Sequence, residues 1–129
     1  MTAEPYTYEE LSGIYCVELK HPTLCNVPTD FYQRVAETRR QAVAAWEAEH
    51  DRDPDGLMCE GAQAQVKRIR RISEDILRNR AVKVCHLGIR KGMGDTDSIP
   101  ELPPEEKVLL LQVAGNYQDM REAMKGVSE

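Results

Sequence analysis

The sequence predicts an all-α fold, and three observations predict it. Ala, Glu, Arg and Gln are plentiful while β-branched residues are sparse, and Phe31 and Trp46 are the only aromatics besides tyrosine; that balance favours helix over strand. Apolar residues recur at spacings of three and four through several long segments. Gly and Pro gather at a few breakpoints instead of recurring every ten residues or so, as a sandwich or barrel requires. The expected architecture is a bundle of four to five helices, four of them main, with one long central helix and no sheet. A chain of 129 residues is one domain's worth, able to bury a core without disulfides or metal.

The first helix opens at Thr7-Tyr8-Glu9-Glu10, a capping box in which Thr7 and Glu10 each satisfy the other's backbone N–H. Leu11, Ile14 and Tyr15 follow at helical spacing, and the helix is expected to end near Glu18 or Leu19, before His21-Pro22. Residues 20–28 read as a connector anchored by Leu24 and Val27. The second helix follows Pro28, with Thr29 or Asp30 as cap, and runs to about His50, its apolar face carrying Phe31, Val35, Ala42 and Trp46. Asp51-Arg52-Asp53-Pro54-Asp55-Gly56 breaks it.

The third helix is predicted from about Leu57 to about Lys91, with a stripe through Val66, Ile69, Ile72, Ile76, Val84 and Gly88. A helix of that length spans about 50 Å, more than a compact domain of this size offers. It is therefore expected either to break, near Gly61 or Asn79, or to pack against a partner. Gly92 is expected in the left-handed conformation that closes a helix. A loop over 92–104 leads to the last helix, which starts at Pro104-Glu105-Glu106 with proline and acids suited to the first turn. Leu110, Val113, Ala114, Tyr117, Met120 and Met124 are its expected buried face. The expected core holds Leu11, Phe31, Val35, Trp46, Ile69, Ile76, Val113 and Tyr117.

Charge is distributed unevenly. Nine basic residues fall between 67 and 91 against Glu74 and Asp75, a local excess of seven positive charges. With a formal net charge of −5 for the chain, the remainder carries −12. Lys67, Arg68, Arg71 and Arg78 are the candidate contacts for a partner or for DNA phosphates. The competing reading, which the abundance of acids elsewhere in the chain favours, is a solvated helix face neutralised by acids of neighbouring helices. No aromatic platform is interleaved with the charges, so DNA contact is expected to be non-specific.

Catalytic and metal signatures fail. Cys16, Cys25, Cys59 and Cys85 contain no C-x₂-C pair, and the three histidines are scattered, so free buried thiols are expected and no metal or other cofactor. Gly92-Met93-Gly94 beside Lys91 fits no phosphate-loop pattern. Asp95 and Asp97 lack the rest of a calcium loop. No nucleophile–base pair stands out, and the chain is expected to be non-enzymatic. The N-terminal residues show no signal peptide and no apolar run reaches the roughly 18–20 residues of a membrane helix, which points to the cytoplasm and to no membrane association.

Four stretches resemble, in order, the archaeal GINS subunits of the Sld-five type. They are Tyr6–Leu11 with Ile14-Tyr15 and Glu18 following; Leu24-Cys25-Asn26-Val27-Pro28-Thr29-Asp30-Phe31-Tyr32; the basic helix ending Arg80-Ala81-Val82-Lys83-Val84-Cys85-His86-Leu87-Gly88; and Leu102-Pro103-Pro104-Glu105-Glu106. The resemblance implies the helical A domain of a non-catalytic replication factor. Its partners would be other GINS subunits or further copies of itself, the MCM helicase and a RecJ/Cdc-forty-five-like protein, at the nucleoid. The family usually carries a small β-rich B domain after the last helix; this chain ends before one, so a single helical domain over residues 1–129 is expected. Pro103 replaces the Thr or Ser usual at the last helix's cap.

Overall fold

A computed structural model describes residues 3–126, and among these the chain is four α-helices with no strand: α1 (Tyr8–Lys20), α2 (Phe31–Arg52), α3 (Leu57–Gly92) and α4 (Pro104–Lys125). The expected boundaries hold to within two residues. The Thr7–Glu10 capping box is formed in both directions. Asp30 occupies the cap position of α2, but its side chain makes no cap hydrogen bond.

α3 runs unbroken for 36 residues, about 54 Å; neither Gly61 nor Asn79 interrupts it. All three other helices pack on it. α2 is joined to α3 by residues 53–56 and runs antiparallel to it, placing Arg39 beside Glu74 and Phe31 with Ile76. α4 runs parallel to α3, because residues 93–103 double back along the helix before it starts: Glu106 meets Arg80, Val113 meets Gly88 and Tyr117 meets Gly92. The length of α3 is thus shared, α2 covering the N-terminal half and α4 the C-terminal part. The expected break does not occur, and the chain's own helices cover both halves of α3.

Two apolar clusters result. One joins Tyr6, Leu11, Phe31, Ile69, Ile72 and Ile76, with Val27, Val35 and Ala42 against it. The other joins Val84, Leu102 and Leu110, with Leu24 and Leu87. Leu24 and Val27 anchor the connector as expected, each in a different cluster. Of the expected core, Leu11, Phe31, Ile69 and Ile76 are buried; Val35, Trp46, Val113 and Tyr117 are half-buried, because each sits where only two helices meet.

Gly92 departs from expectation. It is the last residue of α3, buried, and an added Cβ would lie 2.9 Å from the Ala114 carbonyl. The left-handed residue is Gly94, at φ 100°. Gly88 is equally close to α4: a Cβ there would stand 2.8 Å from that of Val113. These two glycines, four apart on one face, let the helices approach closely.

Met120 and Met124 are not buried. They continue the stripe of Leu110, Val113 and Tyr117, but α3 ends at Gly92 and they are 66% and 87% exposed. The thiols are free as expected but not uniformly buried: Cys59 is buried, Cys25 and Cys85 are half-buried, and Cys16 is exposed. No helix among the described residues is long and apolar enough to cross a membrane.

Candidate interaction surface

Eight of the nine basic residues of 67–91 divide into two populations; the ninth, Lys91, is half-buried and its Nζ donates to the Asp95 carbonyl at 3.5 Å. Arg80 is fully buried, at 0% exposure. Lys83 is nearly so at its side chain, Arg90 pairs with Asp95 at 2.8 Å, and Arg78 pairs with Asp75 at 2.7 Å. Acids of neighbouring helices neutralise Arg80 and Lys83; Arg90 pairs with the loop after α3, and Arg78, its side chain 71% exposed, pairs with Asp75 of its own helix. Lys67, Arg68, Arg70 and Arg71 are exposed and have no carboxylate within ion-pair distance among the described residues. Lys67, Arg71 and Arg78 recur at spacings of four and seven and share one outward strip of α3; Arg68 flanks it and donates to Gln65 at 3.4 Å. Arg70 turns toward α2, beside Arg39 and Arg40. Three of the four candidate contacts, Lys67, Arg68 and Arg71, thus form an open basic band with Arg70 beside them.

Arg80 is the residue that sequence reasoning missed. It lies between the two apolar clusters and bonds to α1, to the connector after it and to α4. Its Nε and Nη2 donate to the two carboxylate oxygens of Glu106, both at 2.7 Å. Its Nη1 donates to Glu18 Oε1 at 2.5 Å and to the Cys25 carbonyl at 2.8 Å. Lys83 Nζ donates to the other Glu18 oxygen at 2.6 Å and to the backbone carbonyl of the same residue at 2.6 Å. The Tyr32 hydroxyl donates to Glu106 Oε2 at 2.5 Å. Two cations face two carboxylates, so the buried group carries no net charge.

Burial alone would push the Arg80 proton off; the carboxylates of Glu106 and Glu18 outweigh it and raise the pKa. Tyr32 is raised strongly, first by burial and then because its hydroxyl already donates to Glu106. The Cys25 thiol is raised by burial and by the Glu18 charge, so it is a poor nucleophile at neutral pH.

A signal for this node was present in the sequence. Arg80 sits on the line Ile72, Ile76, Val84, Gly88; Glu18 follows Leu11 and Ile14 on theirs; Glu106 precedes Leu110 and Val113 on theirs. A charge on an apolar stripe is expensive to bury unless paired, so three such residues on three helices point to one another. Counting charges by segment hid this.

No group of three or more His, Cys, Asp or Glu side chains able to hold a metal ion occurs among the described residues. The surface of the described residues carries open grooves of about 330–410 Å³. No family model matches the chain, and no curated protein or solved structure matches it either.

Proposed function

We propose that the chain is a non-enzymatic helical scaffold subunit of the GINS A-domain type, joining the replicative helicase through MCM and a RecJ/Cdc-forty-five-like protein. One observation carries the reading. The four stretches that resemble the family, far apart in sequence, each contribute a side chain to one buried node: Glu18, Tyr32, Arg80 and Glu106. Stretches recognised separately therefore act as a single structural unit, as motifs of one fold should. The all-α architecture, with three helices ranged along a long central one, is compatible with that unit being an assembly domain.

In this reading the apolar faces left bare on α4 carry affinity, and the basic band on α3 steers association and rims the contact. The chain incubated with a cognate MCM ring and RecJ-like protein co-elutes with them in size-exclusion chromatography. Charge reversal at Lys67, Arg68 and Arg71 weakens that association while leaving the helical circular dichroism unchanged. Failure to co-elute with either protein contradicts the proposal.

A second reading is favoured by the open cations of the band: a free-standing module that binds nucleic acid non-specifically. Its affinity for duplex DNA would fall with a log–log salt slope near −0.9 per phosphate neutralised. An assembly held by apolar faces is much less sensitive to salt. Titrations from about 50 to 200 mM salt separate the two.

A further inference from the structure

We infer that two copies of this chain pair antiparallel, each laying the outer face of its α4 into the α2–α3 groove of the other. Arg70, Ser73, Leu77, Arg80, Val84 and Gly88 follow one another at spacings of three and four, so they lie on one line along α3. The upper part of that line seats α4, through Arg80, Val84 and Gly88. In the lower part Arg70 and Leu77 are exposed and Ser73 is buried. There a groove of about 330 Å³, lined by Phe31, Val35, Leu77 and Glu74 among others, adjoins at Arg39 a second of about 400 Å³ lined by Arg40, Val43, Ala44, Glu47 and Arg70. One side of the molecule is therefore a ridge above and a recess below.

A two-fold axis near the level of Arg80 sets the ridge of each copy against the recess of the other. A parallel pairing would set ridge against ridge. The chemistry runs in the same order. The outer face of α4 begins with Val108 and Leu111, 57% and 64% exposed, passes Gly115, and ends in Asp119 and Glu122, both exposed, with Glu122 shared with Lys125. The recess begins at Val35 and Leu77, beside the Arg39–Glu74 pair, and ends at Arg70, which makes no ion pair among the described residues although Glu47 lines the same groove, with exposed Lys67 a turn beyond. Under the two-fold, apolar meets apolar and acid meets base. The lengths also agree: Val108 to Asp119 and Phe31 to Val43 both span about 17 Å. Ridge and recess on one chain, matched in order, charge and length, commit the occupant to a second copy.

The inference specifies a surface for the assembly reading and rests on that reading, but its test uses this chain alone. A failed dimer and a failed MCM interaction are therefore separate results. Light scattering at about 100 μM gives a mass near twice the 14.6 kDa of the chain. Leu111→Asp raises the dimer Kd at least about 30-fold with unchanged circular dichroism. The decisive arm exchanges charges. The chain carrying Lys67→Glu and Arg70→Glu, and the chain carrying Asp119→Lys and Glu122→Lys, are each monomeric alone and pair when mixed, because both contacts are then complementary again. A wild-type chain that stays monomeric at that concentration overturns the inference. So does a dimer indifferent to Leu111→Asp, or a pair of charge variants that do not recover on mixing.

Discussion

Around its N-terminal half, α3 is sealed by side-chain volume: Ile69, Ile72 and Ile76 interlock with Phe31, Leu11 and Tyr6. Around its C-terminal half it is sealed by closeness and by charge. Gly88 and Gly92 remove their own side chains from the contact, and Arg80 holds α4 by its first turn through Glu106. The two halves use one helix but fail in different ways. A packed apolar contact loses stability in proportion to the volume removed. An ion pair buried from water contributes little net stability over an apolar substitute, yet is costly to half-remove. The difference shows how a short chain can fix a parallel helix with a small apolar seat: the ionic node specifies where α4 starts, and the glycines specify how near it lies.

The largest effects break one half at a time. Arg80→Met leaves Glu18 and Glu106 buried without their main partner and should cost about 3–5 kcal/mol by urea unfolding. Phe31→Ala should cost a similar ~3–5 kcal/mol, but through loss of the lower cluster. Converting Glu18, Arg80, Lys83 and Glu106 together to apolar residues of similar volume should recover most of the Arg80→Met loss. A quadruple variant as unstable as the single one would show that the ionic node itself stabilises.

A smaller effect sharpens the glycine argument. Gly88→Ala should destabilise by about 1–3 kcal/mol, because its Cβ meets Val113 and the Leu110 carbonyl and α4 must move outward. Gly61→Ala, which meets nothing within 4 Å, should instead stabilise by up to about 1 kcal/mol, the helix propensity difference. Thermal melts of the two variants should therefore shift in opposite directions.

Much of the lower half was legible in the sequence, because its determinants are local. The capping box needs only Thr7 and Glu10; the connector's anchors are the two apolar residues of a polar stretch; the hairpin follows from six breaker residues between two periodic segments. The upper half was less legible. Met120 and Met124 have the spacing of a buried face, and only the endpoint of α3 leaves them in water. Gly92 reads as a helix stop, and only the approach of α4 makes it a packing position. Arg80 is joined to Glu18 across 62 residues and to Glu106 across 26, separations at which composition and periodicity carry no pairing information. Of the candidate contacts, Lys67, Arg68 and Arg71 are exposed without an ion pair among the described residues, while Arg78 pairs with Asp75.

Alkaline pH probes the node more gently. The folded state raises the pKa of Tyr32, by burial and then by its hydrogen bond to Glu106, and that of Tyr6, chiefly by burial. A raised folded pKa means that the unfolded chain loses these protons first. Their contribution to stability is whole below the ordinary value of 10.0 and declines as pH rises through the folded values. Tyrosinate absorbance should show at least two of the five tyrosines ionising late, and Tyr32→Phe should remove one of them. The smallest effect belongs to the overrun of α4: Met124→Gln should change stability by less than about 0.5 kcal/mol, since that side chain is 87% exposed.

Amide hydrogen exchange of Arg80→Met, read helix by helix, tests most directly whether the ionic node is what places α4. The account predicts that α4 loses protection by a factor of about 100 or more, while the stretch of α2 from Phe31 to Ala42 falls only with the global stability. Equal loss of protection in α2 and α4, or a protected α4, would contradict it.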